Sequence, residues 1–138
     1  MTRINTIDPV DLLDQHLMAE YRELPRAVNK ANPDHAKIPP SYRMGKGHVL
    51  FFYNKTTWLV ERHQAIVAEL LERGYNLSHT GSLVAVESFP WSPCTCDHEV
   101  NLERLQERLS DKVIYYTLWG EPVPPDYYDS LRPSYLTG

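Results

Sequence analysis

The sequence predicts an all-α fold, a single compact domain of about three main helices joined by long loops, with an aromatic C-terminal tail. Three stretches place apolar residues at the spacing of one helix face, namely residues 8–26, 56–73 and 101–112. Proline and glycine gather between these stretches, which indicates loops. The 138 residues suffice for one domain, residues 1–138, with its own core. We expect no sheet of consequence.

The first predicted helix covers residues 8–26. Asp8 suits the N-cap and Pro9 the first helical position. Pro25 should break or kink the helix. One face is apolar and carries Leu13, Leu17, Tyr21 and Leu24. The other face carries Gln15, Ala19, Arg22, Glu23 and Arg26. This second face presents a carboxylate flanked by cations, although the same pattern also fits an ordinary solvated helix face.

Residues 27–46 are predicted to form a loop-rich connection that either follows DNA or links two helices. Between Arg22 and Leu50 there are six basic and two acidic residues, whereas from Phe51 onward there are seven basic and twelve acidic. The net charge of −4 argues against a generic nucleic-acid binder. A bipolar surface can still present a basic face to DNA. We therefore favour the DNA path for this connection.

The apolar run at Gly47–Lys55 predicts a short strand or an extended core segment. We expect its aromatic residues in the core rather than stacked on bases, and His48 as a hydrogen-bonded core histidine. The next helix, from Thr56 or Thr57 to Arg73, should end at Gly74. Its core-facing residues are Leu59, His63, Ile66, Val67, Leu70 and Leu71.

Residues 75–100 are predicted to be irregular. Cys94, Cys96 and His98 could form part of a metal site, but a structural zinc usually needs four ligands at recognisable spacing. Two cysteines in a chain of this length do not make a disulfide framework. We therefore expect no metal site and a surface loop with reduced thiols.

The last predicted helix covers residues 101–112. Leu102, Leu105 and Leu109 should face inward, and Arg104 and Arg108 should share an outer face. Salt bridges from these arginines to Glu103 and Glu107 are an alternative to a functional role. The tyrosine- and tryptophan-rich tail, residues 113–138, should close the core.

The N-terminus offers a candidate nucleophile. Thr2 is small, and a small second residue permits removal of Met1, which would leave a free α-amine on Thr2. Such an amine has a pKa of about 7.7–8.0, against about 10.4 for lysine. A useful fraction is therefore unprotonated at neutral pH and can form a Schiff base. The alternative is an ordinary frayed terminus.

Four blocks of sequence resemble the pyrimidine-dimer DNA glycosylase family of the phage endonuclease V type. They are Met-Thr-Arg-Ile-Asn at residues 1–5 with the run Asp14–Arg26, Gly45–Lys55, Arg73–Leu77 and Arg104–Arg108. Together they extend from about residue 2 to residue 112. The first two blocks are specific, and we do not expect them to occur together by chance.

The resemblance implies that the Thr2 amine attacks C1′ of the sugar carrying the 5′ pyrimidine of a cyclobutane dimer. The base is released, an imine forms, and β-elimination assisted by Glu23 cuts the strand. The implied contacts with the lesion and DNA are Arg3, His16, Arg22, Arg26 and Lys46, with Arg104 and Arg108 on phosphates. No cofactor is implied. The family bends DNA and flips out the base opposite the lesion.

The leading prediction is a DNA repair glycosylase with abasic-site (AP) lyase activity, acting as a monomer on double-stranded DNA with damaged bases or abasic sites. Three alternatives stay open: a glycosylase for another damaged base, a non-catalytic DNA-binding module, and a metal-dependent nuclease using Cys94–His98. We expect no membrane partner, because no run of about 18 apolar residues occurs. A signal-peptide pattern is also absent, which favours a cytoplasmic location.

Overall fold

Helices make up most of the regular structure, which confirms the all-α prediction. The structure, a computed structural model, describes residues 4–85 and 88–136. Its α-helices are α1 (Asp14–Asn29), α2 (His48–Phe51), α3 (Thr56–Glu72), α4 (Thr95–Asp111) and α5 (Tyr127–Leu136). Short 3-10 helices cover Pro9–Asp11, Phe52–Asn54 and Val113–Tyr115. Among the described residues, no helix is both long enough and apolar enough to cross a membrane.

The chain divides into two compact units. The first unit comprises Met1–Ile4 and Met18–Ser92, and the second comprises Asn5–Leu17 and Pro93–Gly138. The first therefore holds most of α1 together with α2 and α3, and the second holds α4 and α5.

Helix α1 begins later than predicted and continues through its proline. Asp8 does cap a helix, but it is the 3-10 helix Pro9–Asp11, where its carboxylate accepts a hydrogen bond from the Val10 N–H at 3.1 Å. Pro25 lies inside α1 and does not end it, because the helix extends to Asn29. The predicted apolar face is confirmed, since its four members are buried: Leu13, Leu17, Tyr21 and Leu24.

The predicted strand at Gly47–Lys55 is wrong, because this run forms α2 and the 3-10 helix Phe52–Asn54. Gly47 precedes α2 with φ +87°. A Cβ there would come within 3.3 Å of Pro39 Cγ and 3.4 Å of Arg43 Cδ. Glycine therefore suits both the left-handed backbone and the close packing. The core assignment is confirmed, since Phe51 and Phe52 are buried.

Helix α3 buries the predicted stripe with one exception, Leu71, which is exposed. It ends as predicted, since Gly74 follows with φ +92°. A buried ion pair was not anticipated: Arg62 donates to both carboxylate oxygens of Glu20 and lies over the Trp58 ring, 5.6 Å from its centroid. Each of these two buried charged side chains therefore has a partner of opposite charge inside the first unit.

In the second unit, helix α4 starts at Thr95 rather than Asn101. Cys94 occupies the N-cap, and its N–H donates to the Asp97 carboxylate at 3.0 Å. The inward positions Leu102, Leu105 and Leu109 are buried as predicted.

The tail forms a small hairpin held by a buried carboxylate. Strands Thr117–Leu118 and Glu121–Pro122 pair antiparallel, and Trp119 lies between them with φ +53°. Asp14 accepts hydrogen bonds from the Thr117 hydroxyl at 2.7 Å, the Trp119 N–H at 3.1 Å and the Gly120 N–H at 2.9 Å.

The prediction that the tail's aromatic residues close the core is only partly right. Tyr128 on α5 is buried. Tyr115 and Trp119, in contrast, are exposed large side chains. The segment between α4 and α5 therefore holds these two aromatic residues at the surface rather than in the core.

Candidate active site and DNA-contact residues

Glu23 lies on the polar face of α1, where the sequence places it. Its side chain is partly exposed, and one guanidinium nitrogen of Arg26 lies 3.2 Å and 3.4 Å from its two oxygens. One turn of helix separates the two residues, so the contact follows from the i, i+3 spacing. The carboxylate is therefore oriented by a cation and still open to solvent on one side.

The first unit, which contains Glu23, carries further cations. Arg22 and Lys46, both predicted DNA contacts, are exposed. Neither makes an ion pair with any residue in the described part of the chain. The same holds for Lys30, Lys37 and Arg43. These side chains are thus available to phosphates, for which arginine forks and lysine ammonium groups are suited.

Thr2 and Arg3 lie outside the described residues, but the next residue is held tightly. Ile4 is buried; its N–H donates to His48 Nε2 at 3.0 Å, and its carbonyl accepts from the Tyr42 hydroxyl at 2.8 Å. Both polar groups of one residue are thereby paired with side chains. The backbone two residues after Thr2 is therefore fixed to the first unit; we call this pair of contacts the Ile4 clamp.

The tautomer of His48 follows from its partners. Nε2 accepts the Ile4 N–H, so the ring proton lies on Nδ1, which donates to the Arg43 carbonyl at 2.8 Å. The Tyr42 ring meets the imidazole edge-on, 5.5 Å away. The interpretation of His48 as a hydrogen-bonded core histidine is confirmed. Its role in holding the N-terminal segment was missed, because no sequence pattern links positions 4 and 48.

In the second unit the structure brings two predicted contacts, His16 and Arg108, together. Burial, and next the Arg108 guanidinium, lower the pKa of His16 from its ordinary 6.5 to about 4. His16 Nδ1 lies 2.7 Å from the Tyr128 hydroxyl. Nε2 is buried, with no hydrogen-bond partner among the described residues. His16 therefore carries no charge at neutral pH, and any contact it makes with DNA is made by a neutral ring.

Arg104 and Arg108 do not form the salt bridges that the sequence allowed. Arg104 is half-buried and Arg108 is exposed. Within the described ranges, neither guanidinium pairs with Glu103, Glu107 or any other carboxylate. The salt-bridge alternative is therefore wrong, and both cations are available to a ligand.

A family model described as pyrimidine dimer DNA glycosylase matches residues 1–82 of the 138. The match covers more than half of the chain. The chain belongs to the pyrimidine dimer DNA glycosylase family. The protein is thus a DNA glycosylase, and its substrate is DNA that contains pyrimidine dimers.

The matched part of the glycosylase includes the positions of Thr2, Arg3, Glu23 and the Ile4 clamp. It ends before α4, which carries Arg104 and Arg108. The roles predicted for these two arginines therefore rest on the weaker sequence resemblance and on their lack of carboxylate partners.

The cysteine pair of the glycosylase differs from the prediction. Cys94 and Cys96 form a disulfide, and Thr95 begins α4, so the expected loop with reduced thiols is wrong. The sulfurs and an Asp97 oxygen lie within 4.8 Å of one another. Metal coordination by cysteine requires thiolates, which the disulfide does not provide. His98 Nδ1 lies 2.8 Å from the Thr6 hydroxyl, so the imidazole has a partner elsewhere.

Proposed function

We propose that this glycosylase breaks the bond between the 5′ base of a cyclobutane pyrimidine dimer and its sugar and then cuts the strand as an AP lyase, through an imine on the Thr2 α-amine. The observation that supports this best is the Ile4 clamp. It holds the chain two residues from Thr2, on the same unit as Glu23. A nucleophile whose position is restricted by a fixed tether reacts faster, because less entropy is lost when it reaches the reacting atom.

In the proposed reaction, the amine lone pair attacks C1′ of the deoxyribose as the bond from C1′ to the base nitrogen breaks. The base takes the bonding electrons and a proton, and it stays joined to the 3′ pyrimidine through the cyclobutane ring. The sugar ring opens to an imine between C1′ and the amine. Removal of a C2′ proton then expels the 3′ phosphate by β-elimination, and water releases the amine. No step needs a metal ion or an organic cofactor.

Glu23 is the proposed acid–base group. A carboxylate beside C1′ can stabilise the cationic intermediate and move protons at the sugar. Arg26 keeps the carboxylate oriented through its contacts with both oxygens. Arg3 and Arg22 are proposed to contact the lesion site, and nearby guanidinium groups should lower the pKa of the Thr2 amine by disfavouring its ammonium form.

DNA is proposed to be held by cations on each unit. Arg22, Arg26 and Lys46 serve in the first unit, and Arg104 and Arg108 in the second, with His16 as a neutral contact. Their charges matter more than the net charge of −4, because phosphate contacts act at short range and are screened beyond about 10 Å at 0.1 M salt.

The test is borohydride trapping on protein whose Met1 removal is confirmed by mass spectrometry. Two duplexes are used, one with an abasic site and one with a cyclobutane dimer, and the adduct is mapped to a residue. An adduct on the Thr2 amine with both duplexes is the expected result. An adduct with the abasic duplex alone would keep the amine chemistry and point to another lesion. No adduct with either would overturn the proposal in favour of a binding role.

A further inference from the structure

The 3-10 turn Val113–Tyr115, which follows α4 in the second unit, exposes apolar side chains. Ile114 is 99% exposed and Tyr115 is 61% exposed. Isoleucine is among the residue types most often buried, and Ile114 is the most exposed of the large apolar side chains in the described part of the chain. We refer to Ile114 and Tyr115 as the apolar tip.

The apolar tip is held in place rather than loose. The Tyr115 N–H donates to the Lys112 carbonyl at 3.0 Å, and the Tyr116 N–H donates to the Val113 carbonyl at 3.3 Å. The Tyr115 ring meets the Tyr116 ring edge-on at 5.0 Å. Tyr116 in turn packs on His16, with ring centroids 4.6 Å apart. Ile114 is therefore presented on a turn backed by packed rings.

Three basic residues precede the apolar tip in the sequence. Arg104 and Arg108 lie one turn apart on α4, and Lys112 follows directly after its last residue; we call these three residues the basic stripe. None of the three pairs with a carboxylate among residues 4–85 and 88–136. Arg108 lies near the two rings behind the tip: it lowers the pKa of His16 after burial, and it opposes the rise in the pKa of Tyr116 that burial, Tyr115 and Asp111 cause.

Acidic residues of α4 lie on a different side. Glu103, Glu107 and Asp111 line an open groove beside α5, together with Asp129 and Arg132. At about 100° per residue, this acidic stripe is rotated from the basic stripe by roughly a quarter turn.

We infer that Ile114 is a wedge that enters the base stack of substrate DNA while the basic stripe holds the adjacent phosphates. Apolar side chains that insert between base steps unstack them and kink the duplex. Tyr115 offers a ring on which a displaced base can stack. An enzyme acting at C1′ of a stacked dimer must open the stack, and a damaged step costs less to open. This inference rests on the proposed function.

DNA fits the apolar tip better than a protein partner does. A stable protein interface needs about 800 Å² on each partner, with an apolar centre. The tip offers two side chains, and unpaired cations border it. A narrow apolar point with cations near it suits insertion at a base step, with the cations on the adjacent phosphates.

The experiment compares wild type with Ile114→Ser, Ile114→Leu and Val84→Ser on dimer-containing and abasic duplexes. Ile114→Leu keeps an apolar wedge, and Val84→Ser removes an apolar side chain that is 81% exposed in the first unit. Fluorescence of 2-aminopurine, placed in turn at positions around the lesion, reports unstacking. Borohydride trapping and binding titrations report the proposed function separately, and far-UV circular dichroism checks folding.

Ile114→Ser is expected to lose the 2-aminopurine signal and to slow dimer excision at least about tenfold more than it slows trapping on the abasic duplex. Ile114→Leu and Val84→Ser should both retain the signal. Equal signals and equal excision in wild type and Ile114→Ser would overturn the wedge and leave the proposed function intact. Concentration-dependent self-association abolished by Ile114→Ser, without a change in unstacking, would assign the tip to a second copy instead. Absence of trapping in wild type would remove the proposed function and the wedge together.

Discussion

Glu23 can be tested without changing its size. Glu23→Gln removes the acid–base function while an amide still occupies the site beside Arg26. General acid–base catalysis contributes about 10²–10⁴-fold, so strand cleavage should fall by at least about a hundredfold. Affinity for an abasic duplex should stay within a few fold. Gel assays of cleavage and fluorescence anisotropy measure the two quantities.

The control for Glu23 is Glu61→Gln, which makes the same chemical change at an exposed position of α3. It should cleave at the wild-type rate. If Glu23→Gln also cleaves at that rate, Glu23 has no part in the reaction.

His48 can be tested with two substitutions of different hydrogen-bonding capacity. A glutamine can accept the Ile4 N–H and donate to the Arg43 carbonyl, as His48 does, whereas phenylalanine can do neither. We expect His48→Gln to keep most of the trapping rate at saturating DNA. His48→Phe should lower that rate at least about tenfold with little change in DNA affinity. A parallel loss of rate and affinity in both variants would indicate a purely structural role.

At the scale of the element, α3 carries a buried histidine whose effect on stability can be predicted. Both ring nitrogens of His63 are buried and have no hydrogen-bond partner in the described part of the chain. The ring stacks on Tyr21 with an interplanar angle of 16°. An unpaired buried polar group costs about 1–3 kcal/mol. His63→Phe should therefore raise the free energy of unfolding at pH 7 by about 1 kcal/mol, measured by urea denaturation.

Acid sensitivity follows from the packing of α1 and the tail. Burial and Arg108 lower the pKa of His16 to about 4, and burial lowers the pKa of His63. In the unfolded chain both rings take up a proton near pH 6.5. Their contribution to stability is therefore complete above pH 6.5 and decreases as the pH falls toward 4.

For His16 alone this loss is at most about 3 kcal/mol. Urea denaturation between pH 7.5 and 4 should show that the free energy of unfolding falls less steeply with decreasing pH in His16→Asn than in wild type. We call this decrease the acid limb. His79→Asn, at an exposed position, serves as the control and should leave the limb unchanged. An equally steep limb in His16→Asn would mean that His16 does not become protonated on unfolding.

Helices could be predicted from the sequence where the helical spacing of apolar residues repeats over several turns. The faces of α1 and α3 repeat over four turns, so their buried residues could be identified from spacing. The run at Gly47 is too short to distinguish strand from helix by period. The start of α4 was missed because Cys94, an uncommon cap, replaces the usual hydroxyl or carboxylate residue.

The two units of the molecule differ in net charge. By sequence, the first has ten basic and seven acidic side chains, and the second has four basic and eleven acidic. If Arg104 contacts a phosphate, Arg104→Ala should reduce the slope of log affinity against log salt by about one. Arg132→Ala is the matched control, because Arg132 is occupied by Asp129 and Glu99 in the same unit. An unchanged slope for Arg104→Ala would exclude that contact.

The candidate site was only partly predictable from sequence. The family blocks made Glu23 and the arginines candidates, because they match the family's motifs at fixed spacing. The Ile4 clamp and the Asp14 contacts join positions 44 and more than 100 residues apart. Such pairings depend on how the chain folds back on itself, and no local pattern in one sequence encodes them.

The Ile4 clamp also sets a limit on length. Two residues of extended chain span about 7 Å, so an amine on Thr2 can reach only a small volume around a fixed pivot. One added residue would lengthen this tether by about half and move the terminal nitrogen away from the position proposed for the Thr2 amine. A purification tag for this enzyme should accordingly be placed at the C-terminus. Even one extra residue left at the N-terminus after tag removal is expected to lower the enzyme's activity.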